Sequence, residues 1–172
     1  MKHSLASLFF LIAAGVSLQA ADASVKISNV HLCCKSCVTG VEKAVNQVDG
    51  VKATVDKDEG TVSLTGPNHG AVQKAADALV AAGYYGKSSD PAVKLHAGNH
   101  GKGKKVHSLE VKGVHLCCGK CVSTVNEAVT SVAGVKGTTA AKNAESFTVT
   151  GDFNDAEVLA ALQKAGLSGQ IK

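Results

Sequence analysis

The sequence predicts an α+β protein in which one small domain occurs twice after a short N-terminal address segment. Residues 25–51 and 109–135 align without a gap, and 13 of the 27 aligned positions are identical. Within each copy, segments that alternate apolar and polar residues lie beside segments whose apolar residues recur at helical spacing. Two copies are too few for a solenoid, but each copy is long enough to form a domain of its own.

The first 20 residues have the three parts of a secretory signal. Lys2 precedes an uncharged apolar run at residues 5–18, and small residues follow that run at Ala20. The run is shorter than the roughly 20 residues that span a bilayer. We therefore expect cleavage after Ala20 and a periplasmic or secreted mature chain with no stable membrane insertion. An uncleaved membrane anchor is the alternative.

The composition excludes several classes of function. The chain has 172 residues, a net charge of +4 and 45% hydrophobic residues, which is normal for a globular protein. The small charge excess and the few aromatic residues argue against nucleic acid as a partner. We find no glycine-rich phosphate loop, no Ser-His-Asp arrangement and no catalytic pair of carboxylates in the sequence. We therefore expect that the protein is not an enzyme.

The first copy predicts the element order strand, helix, strand, strand, helix, strand. Residues 24–30 alternate as a half-buried strand does, and residues 38–48 carry valines at helical spacing. Residues 51–55 and 61–65 form a hairpin. The second helix carries its apolar stripe over residues 72–80.

Local signals mark the ends of that second helix. Asn68 is its predicted N-cap, Gly83 ends it, and Tyr84 begins the last strand.

The second copy repeats this order. Its predicted strands are residues 108–114, a strand that follows Gly134, residues 146–150 and residues 167–171, and its helices carry residues 122–132 and 158–162. The order β-α-β-β-α-β is the split βαβ, or ferredoxin-like, arrangement, in which two helices cover one face of an antiparallel sheet.

These patterns predict two tandem ferredoxin-like domains, residues 24–86 and residues 107–172, after the signal peptide of residues 1–20. The segment between them, residues 87–106, is rich in Ser, Gly, Lys and His, which is typical of a flexible linker.

Cysteines carry the predicted chemistry. They lie in two loops of the pattern Cys-Cys-x-x-Cys, namely Cys33, Cys34, Cys37 and Cys117, Cys118, Cys121. In each loop a Cys-x-x-Cys pair places one sulfur before a helix and the next on its first turn, so that both can converge on one ion. The helix N-terminus and the adjacent Lys35 or Lys120 favour the thiolate. Soft thiolates select Cu(I), Zn(II) and related ions.

The loops resemble those of the heavy-metal-associated domain, in which Cys-x-x-Cys follows a strand and opens a helix of a βαββαβ unit. Copper metallochaperones, the periplasmic mercury-binding protein and modules of metal-pumping ATPases carry this domain. The resemblance covers nearly all of both repeats. It implies one soft ion per domain, Cu(I) or Zn(II), held by Cys34 and Cys37 or by Cys118 and Cys121. It also implies delivery of the ion to an envelope metal transporter or acceptor protein.

Two departures from the family pattern leave the metal open. The family's Gly-Met before the loop is His-Leu here, and its variable residue is a third cysteine, Cys33 or Cys117. A third thiolate suits the coordination that Zn(II) prefers, whereas the family match favours copper. The sequence leaves open whether Cys33, Cys117, His31 and His115 are ligands, and whether the two sites act separately or clamp one ion between the domains.

Two other functions remain open. A thiol-disulfide oxidoreductase also places Cys-x-x-Cys at a helix start. Such enzymes need a cis-proline beside the pair, however, and the only prolines, Pro67 and Pro91, lie in turn or linker positions. The other possibility is a non-catalytic module of the cell envelope whose cysteine pairs are oxidised and inert.

Overall fold

The computed structural model describes residues 22–98 and 101–172, and the signal peptide predicted at residues 1–20 lies outside them. The first repeat contains β1 (Ala23–Ser28), α1 (Lys35–Val45), β2 (Lys52–Asp56), β3 (Thr61–Gly66), α2 (His69–Ala81) and β4 (Lys87–Ser88). The second contains β5 (Lys105–Lys112), α3 (Gly119–Thr130), β6 (Val135–Thr138), β7 (Ser146–Asn154), α4 (Asp155–Lys164) and β8 (Gln170–Ile171). Within the described ranges, no helix has the length and hydropathy of a membrane span.

Each repeat builds its own four-stranded antiparallel sheet, with the strand orders β2-β3-β1-β4 and β6-β7-β5-β8. The first strand of each repeat lies between the third and the fourth, and the two helices pack on each other and on the sheet. This is the topology that the element order predicts for a ferredoxin-like unit. The predicted α+β class and the two repeated units are therefore confirmed.

Alternation along the strands decides which sheet face is covered. In β1, Ala23, Val25 and Ile27 are buried, whereas Ser24 and Lys26 are exposed. Residues two apart on a strand point to the same face, so the apolar set faces the helices. Pairing on both sides of β1 fixes the strand that leads into the first cysteine loop.

The predicted signals at the ends of α2 are also confirmed. The side chain of Asn68 accepts a hydrogen bond of 2.9 Å from the backbone N–H of Ala71, as an N-cap does. Gly83 follows the helix with a positive φ of 90°, the left-handed conformation that commonly ends a helix.

The segment between the repeats differs from the predicted flexible linker. Lys87 and Ser88 form β4 and pair with β1, and β5 already begins at Lys105. Between them, the Gln73 side chain donates to the Lys94 carbonyl at 2.7 Å and accepts from the Lys94 N–H at 2.8 Å. Val93 is buried beside these bonds. The Lys- and Gly-rich composition does not reveal these contacts, because both hydrogen bonds depend on the Gln73 side chain, which lies in another element.

Hydrogen bonds to a buried carboxylate at the start of α4 hold the end of that segment in place. Asp155 accepts hydrogen bonds from the backbone N–H groups of Lys102 at 3.0 Å and Lys104 at 2.8 Å. Its own N–H donates to the Lys104 carbonyl. Burial by itself would raise the pKa of Asp155, but these backbone donors bring the pKa below its ordinary value.

The two repeats meet where glycines follow α2 and α4. The Ser168 N–H donates to the Gly83 carbonyl at 2.9 Å, and the N–H groups of Tyr85 and His31 donate to the Gly166 carbonyl at 3.1 and 3.2 Å. Tyr84 and Leu167 form an antiparallel bridge between these bonds. We call this contact, residues 83–85 with 166–168 and the neighbouring cysteine-loop backbone, the glycine contact.

Both glycines of the contact lack room for a side chain. A Cβ on Gly166, which has a φ of 79°, would lie 2.6 Å from the backbone N of His31. A Cβ on Gly83 would collide with the backbone N of His115. Each glycine therefore ends a helix and also lets the cysteine loop of the other repeat approach.

We predict that Gly166→Ala will open the glycine contact. The control is Gly103→Ala, because Gly103 also has a positive φ, of 67°, but a Cβ there meets no atom within 4 Å. The control carries only the left-handed backbone penalty of roughly 1–2 kcal/mol. Gly166→Ala should lower the free energy of unfolding by at least about 1 kcal/mol more, measured by urea denaturation. Equal losses for the two variants would contradict the contact.

We also predict an acid-sensitive contribution from Asp155. Because its pKa is lower when folded, its contribution is present above the unfolded pKa of about 3.9 and is lost as the pH falls through the folded value. Asp155→Asn should therefore lower the free energy of unfolding at pH 7 and reduce the further loss between pH 5 and pH 3. Urea denaturation at these pH values measures both effects. An unchanged acid dependence in Asp155→Asn would show that other carboxylates dominate.

Candidate metal centre

Each cysteine loop joins a central strand to the N-terminus of a helix. Cys34 and Cys118 are the N-cap residues of α1 and α3 in extended backbone conformation, and neither side chain caps its helix. The Cys37 N–H donates to the Cys34 carbonyl at 3.0 Å, so that Cys37 lies on the first turn. Cys121 has the equivalent place in α3. The predicted placement of both Cys-x-x-Cys pairs is confirmed.

All six sulfur atoms lie together, and we call them the sulfur cluster. Within the repeats, the Sγ–Sγ distances are 3.7 Å for Cys33–Cys37, 3.8 Å for Cys34–Cys37, 3.7 Å for Cys117–Cys121 and 3.8 Å for Cys118–Cys121. Between the repeats, they are 3.3 Å for Cys33–Cys118, 3.5 Å for Cys33–Cys121, 3.6 Å for Cys34–Cys117 and 3.6 Å for Cys37–Cys117. All six cysteines are free thiols.

The third cysteine of each loop connects the repeats. Each of these four distances across the boundary involves Cys33 or Cys117. Both residues are half-buried. The sequence left open whether these side chains simply face solvent, and the structure places them between the two Cys-x-x-Cys pairs instead.

In at least four groups of three side chains, the ligand atoms lie within 4.8 Å of one another. Three groups contain sulfur alone: Cys33, Cys34, Cys118; Cys34, Cys37, Cys117; and Cys117, Cys118, Cys121. The fourth consists of His31, Cys33 and Cys121. Donors of this kind suit a soft metal ion, and none of the four groups contains a carboxylate.

Crowding of the thiols separates their pKa values. The nearby Cys121 thiol lowers the pKa of Cys37, with further help from His115 and Cys117 and against the effect of burial. The reverse influence of Cys37, together with burial, raises the pKa of Cys121. Since the two residues occupy equivalent positions, we interpret them as one thiolate and one thiol that share a single negative charge.

The pKa values of Cys33 and Cys118 have similar physical causes. Burial is the largest cause that raises the pKa of Cys33 to about 12. The Cys121 backbone N–H is the largest cause that lowers the pKa of Cys118 to about 6, with the Cys33 thiol next. Helix N-termini and neighbouring thiols therefore support one or two negative charges, while full ionisation would place like charges at 3–4 Å.

Two histidines lie behind the sulfur cluster. The imidazoles of His31 and His115 each have a buried Nε2 without a hydrogen-bond partner among the described residues. Burial is the main cause that lowers the pKa of His31, which keeps the ring neutral near pH 7 as metal binding requires. His115 stacks on Tyr84 with ring centroids 4.7 Å apart.

The loop is supported differently in the two repeats. In the first, the buried Tyr84 hydroxyl donates to the Cys37 carbonyl at 2.9 Å, and burial is the main cause that raises the pKa of Tyr84. Leu167 occupies the equivalent position in the second repeat and has no hydroxyl. Leu32 and Leu116 are both buried and fill the space under their loops.

Sequence reasoning left open whether the two loops meet. It identified every sulfur but expected one site per domain, and it left a shared site open. The local signal for this meeting is the glycine that follows the second helix of each repeat, Gly83 or Gly166. Because such glycines commonly end helices, they do not by themselves indicate a contact between the repeats.

Comparisons with known proteins add little to this picture. No protein-family model matches the chain, and no curated protein matches it. The solution structure of the N-terminal soluble domains of Bacillus subtilis CopA is 16% identical, covers 89% of this chain and 95% of its own, and has a TM-score of 0.32. The crystal structure of the first two RRM domains of the yeast poly(U)-binding protein Pub1 is 12% identical, covers 87% and 98%, and has a TM-score of 0.28. Neither similarity is high enough to support an argument about function.

Proposed function

We propose that this protein binds soft metal ions through the sulfur cluster and passes them to the thiolates of an acceptor. The observation that carries the proposal is the spacing of six free thiols at 3.3–3.8 Å. An ion with metal–sulfur bonds of about 2.3 Å holds its sulfurs about 3.8–4.0 Å apart in tetrahedral or trigonal geometry. The sulfurs therefore need to move by only a few tenths of an ångström to bind.

The surroundings of the cluster favour a bound cation together with its thiolates. The N-termini of α1 and α3 both begin at the cluster, and neither helix has an acidic residue in its first turn. The positive ends of the helices stabilise thiolates, and the bound ion relieves the repulsion among them. Oxygen-preferring ions such as Mg²⁺ and Ca²⁺ are poor matches for these ligands.

Two features of the sequence support a proposed cellular role. With the predicted signal of residues 1–20 and the resemblance of the loops to the heavy-metal-associated domain, we propose a metallochaperone or scavenger of the periplasm or the secreted space. Its cargo is Cu(I) or Zn(II), and its partner is an envelope metal transporter or acceptor protein. Transfer occurs by ligand exchange, in which an acceptor thiolate enters the coordination shell before a cluster thiolate leaves. No covalent chemistry on a substrate is involved, so the protein is not an enzyme in this account.

A thiol-disulfide oxidoreductase is the second candidate. The lowered pKa of Cys118, about 6, gives this half-exposed sulfur the thiolate character that disulfide exchange needs. The same thiolate is also a good metal ligand, so the pKa does not separate the two functions.

We predict that the reduced mature chain retains Cu(I) or Zn(II) during gel filtration against a weak chelator. The double variant Cys37→Ser, Cys121→Ser should lose at least about tenfold in affinity, because it removes the buried sulfur of both Cys-x-x-Cys pairs. The matched control is Ser36→Ala, an exposed substitution in the same loop. Elemental analysis of the protein fraction gives the metal content.

The outcomes separate the two candidates. Insulin reduction is measured on the same preparations. Tight metal retention without turnover supports the proposal, whereas rapid insulin reduction without metal retention contradicts it and supports the oxidoreductase.

A further inference from the structure

The sulfur cluster has the arrangement of an octahedron. In an octahedron each corner neighbours every other corner except the one opposite. The close Sγ contacts and the pairs inside the three-sulfur groups supply eleven of its twelve edges, and the Cys37–Cys121 thiol pair corresponds to the twelfth. The opposite corners are Cys33 and Cys117, Cys34 and Cys121, and Cys37 and Cys118. Besides the Cys37–Cys121 pair, these three are the pairs of described sulfurs that share neither a contact nor a group.

The eight faces of this octahedron form two equivalent sets of four alternate faces, and the three all-sulfur groups belong to one of these sets. Any two of them share one sulfur and no edge. The face that completes the alternate set consists of Cys33, Cys37 and Cys121, where the first sulfur lies 3.7 Å from the second and 3.5 Å from the third. In the complete set of four faces, every sulfur belongs to two faces. This is the pattern in which six bridging ligands connect four ions.

The octahedral arrangement of the six sulfur atoms limits how many of them can bind the same ion. Any four corners include at least one opposite pair, so no four sulfurs are mutual neighbours and a compact tetrahedral all-sulfur site is not formed. Triangular sites are formed instead. The triangle of Cys34, Cys37 and Cys117, with edges of 3.6–3.8 Å, has its centre about 2.1–2.2 Å from each sulfur, close to a metal–thiolate bond of about 2.3 Å. Cu(I) binds soft thiolates and accepts low coordination numbers, whereas Zn(II) prefers four ligands.

We propose that the protein holds four Cu(I) ions as one cluster, with one ion at each alternate face and each thiolate bridging two ions. This inference rests on the proposed function and replaces the expected single ion per domain. Four Cu⁺ ions that displace six thiol protons leave a net charge of −2. The positive N-termini of α1 and α3 adjoin that charge.

The cluster gives the extra cysteines a specific role. Each face of an octahedron contains one member of every opposite pair, so every face contains Cys33 or Cys117. Without these two residues, each loop keeps only its Cys-x-x-Cys pair. The third cysteine therefore converts two separate two-sulfur sites into a shared polynuclear site, and this explains why both loops carry it.

The test is an anaerobic Cu(I) titration of the reduced mature chain against a competing chelator, followed by native mass spectrometry. We expect a monomer with four Cu(I) as the dominant loaded species and few partly loaded forms, because the ions share ligands. X-ray absorption should show three sulfurs around each copper. It should also show a copper neighbour at about 2.5 Å, which is the separation of alternate face centres for a 3.8 Å sulfur edge.

The number of Cu(I) ions bound should fall stepwise as the cysteines are replaced. Cys33→Ser leaves two complete faces of the set and should halve the capacity to two Cu(I). The double variant Cys33→Ser, Cys117→Ser leaves no face, so it should bind no more than two Cu(I), without the copper–copper distance. Ser36→Ala should bind four, as the unaltered chain does.

Failures of the two proposals look different. Saturation of the unaltered chain at one or two Cu(I), unchanged in the Cys33→Ser, Cys117→Ser variant, would overturn the cluster and leave metal binding intact. Four Cu(I) per two chains would overturn a cluster within one chain. Selective Zn(II) retention in the presence of Cu(I) would overturn the cluster but support the broader proposal. The absence of binding of either metal would contradict the proposed function itself.

Discussion

The close approach of the two repeats at Gly83 and Gly166 is the constraint on which the candidate site depends. Each glycine ends a helix with positive φ and touches the backbone that leads into the other repeat's cysteine loop. A side chain at either position would push the loops apart. Because sulfur contacts across the boundary are as short as 3.3 Å, a separation of even 1 Å would break the cluster into two halves. Backbone geometry two residues before the first cysteine of each loop therefore decides what the sulfurs can bind.

Two opposing electrostatic effects act at the cluster. Burial raises the pKa of a thiol, whereas helix N-termini and neighbouring thiol donors lower it. The structure places α1 and α3 with their N-termini at the cluster, so that some negative charge is stabilised there. Six thiolates would still repel one another strongly. A soft cation removes this conflict, and the arrangement is therefore better suited to a metal-loaded state than to a fully ionised empty one.

Much of the fold could be predicted because its signals are local. The alternation of β1, the valine stripe of α1 and the Asn68 cap each depend on residues close in sequence, and the repeat at an offset of 84 gives each signal twice. The structure of residues 87–106 was harder to predict, because the Gln73 side chain that holds this segment lies in another element.

The candidate site could be predicted only in part, for the same reason. Residue type and spacing identify all six cysteines, because two convergent sulfurs at a helix start require only local geometry. Their union into one cluster depends on how the repeats dock. Docking is set by hydrogen bonds such as those of the Gly166 carbonyl with Tyr85 and His31, which have no pattern in the sequence. The role of Cys33 was therefore left open at the level of sequence.

The most direct test of this account is disulfide trapping between the two repeats. In a chain whose only cysteines are Cys33 and Cys118, the sulfurs start 3.3 Å apart and need a small movement to reach the roughly 2.05 Å of a disulfide. Mild oxidation should close this bond rapidly within one monomer, as mass spectrometry of tryptic peptides would show. A chain that keeps only Cys37 and Cys118, which are opposite corners of the cluster, should close much more slowly. Equal rates, or bonds only between chains, would contradict the shared cluster.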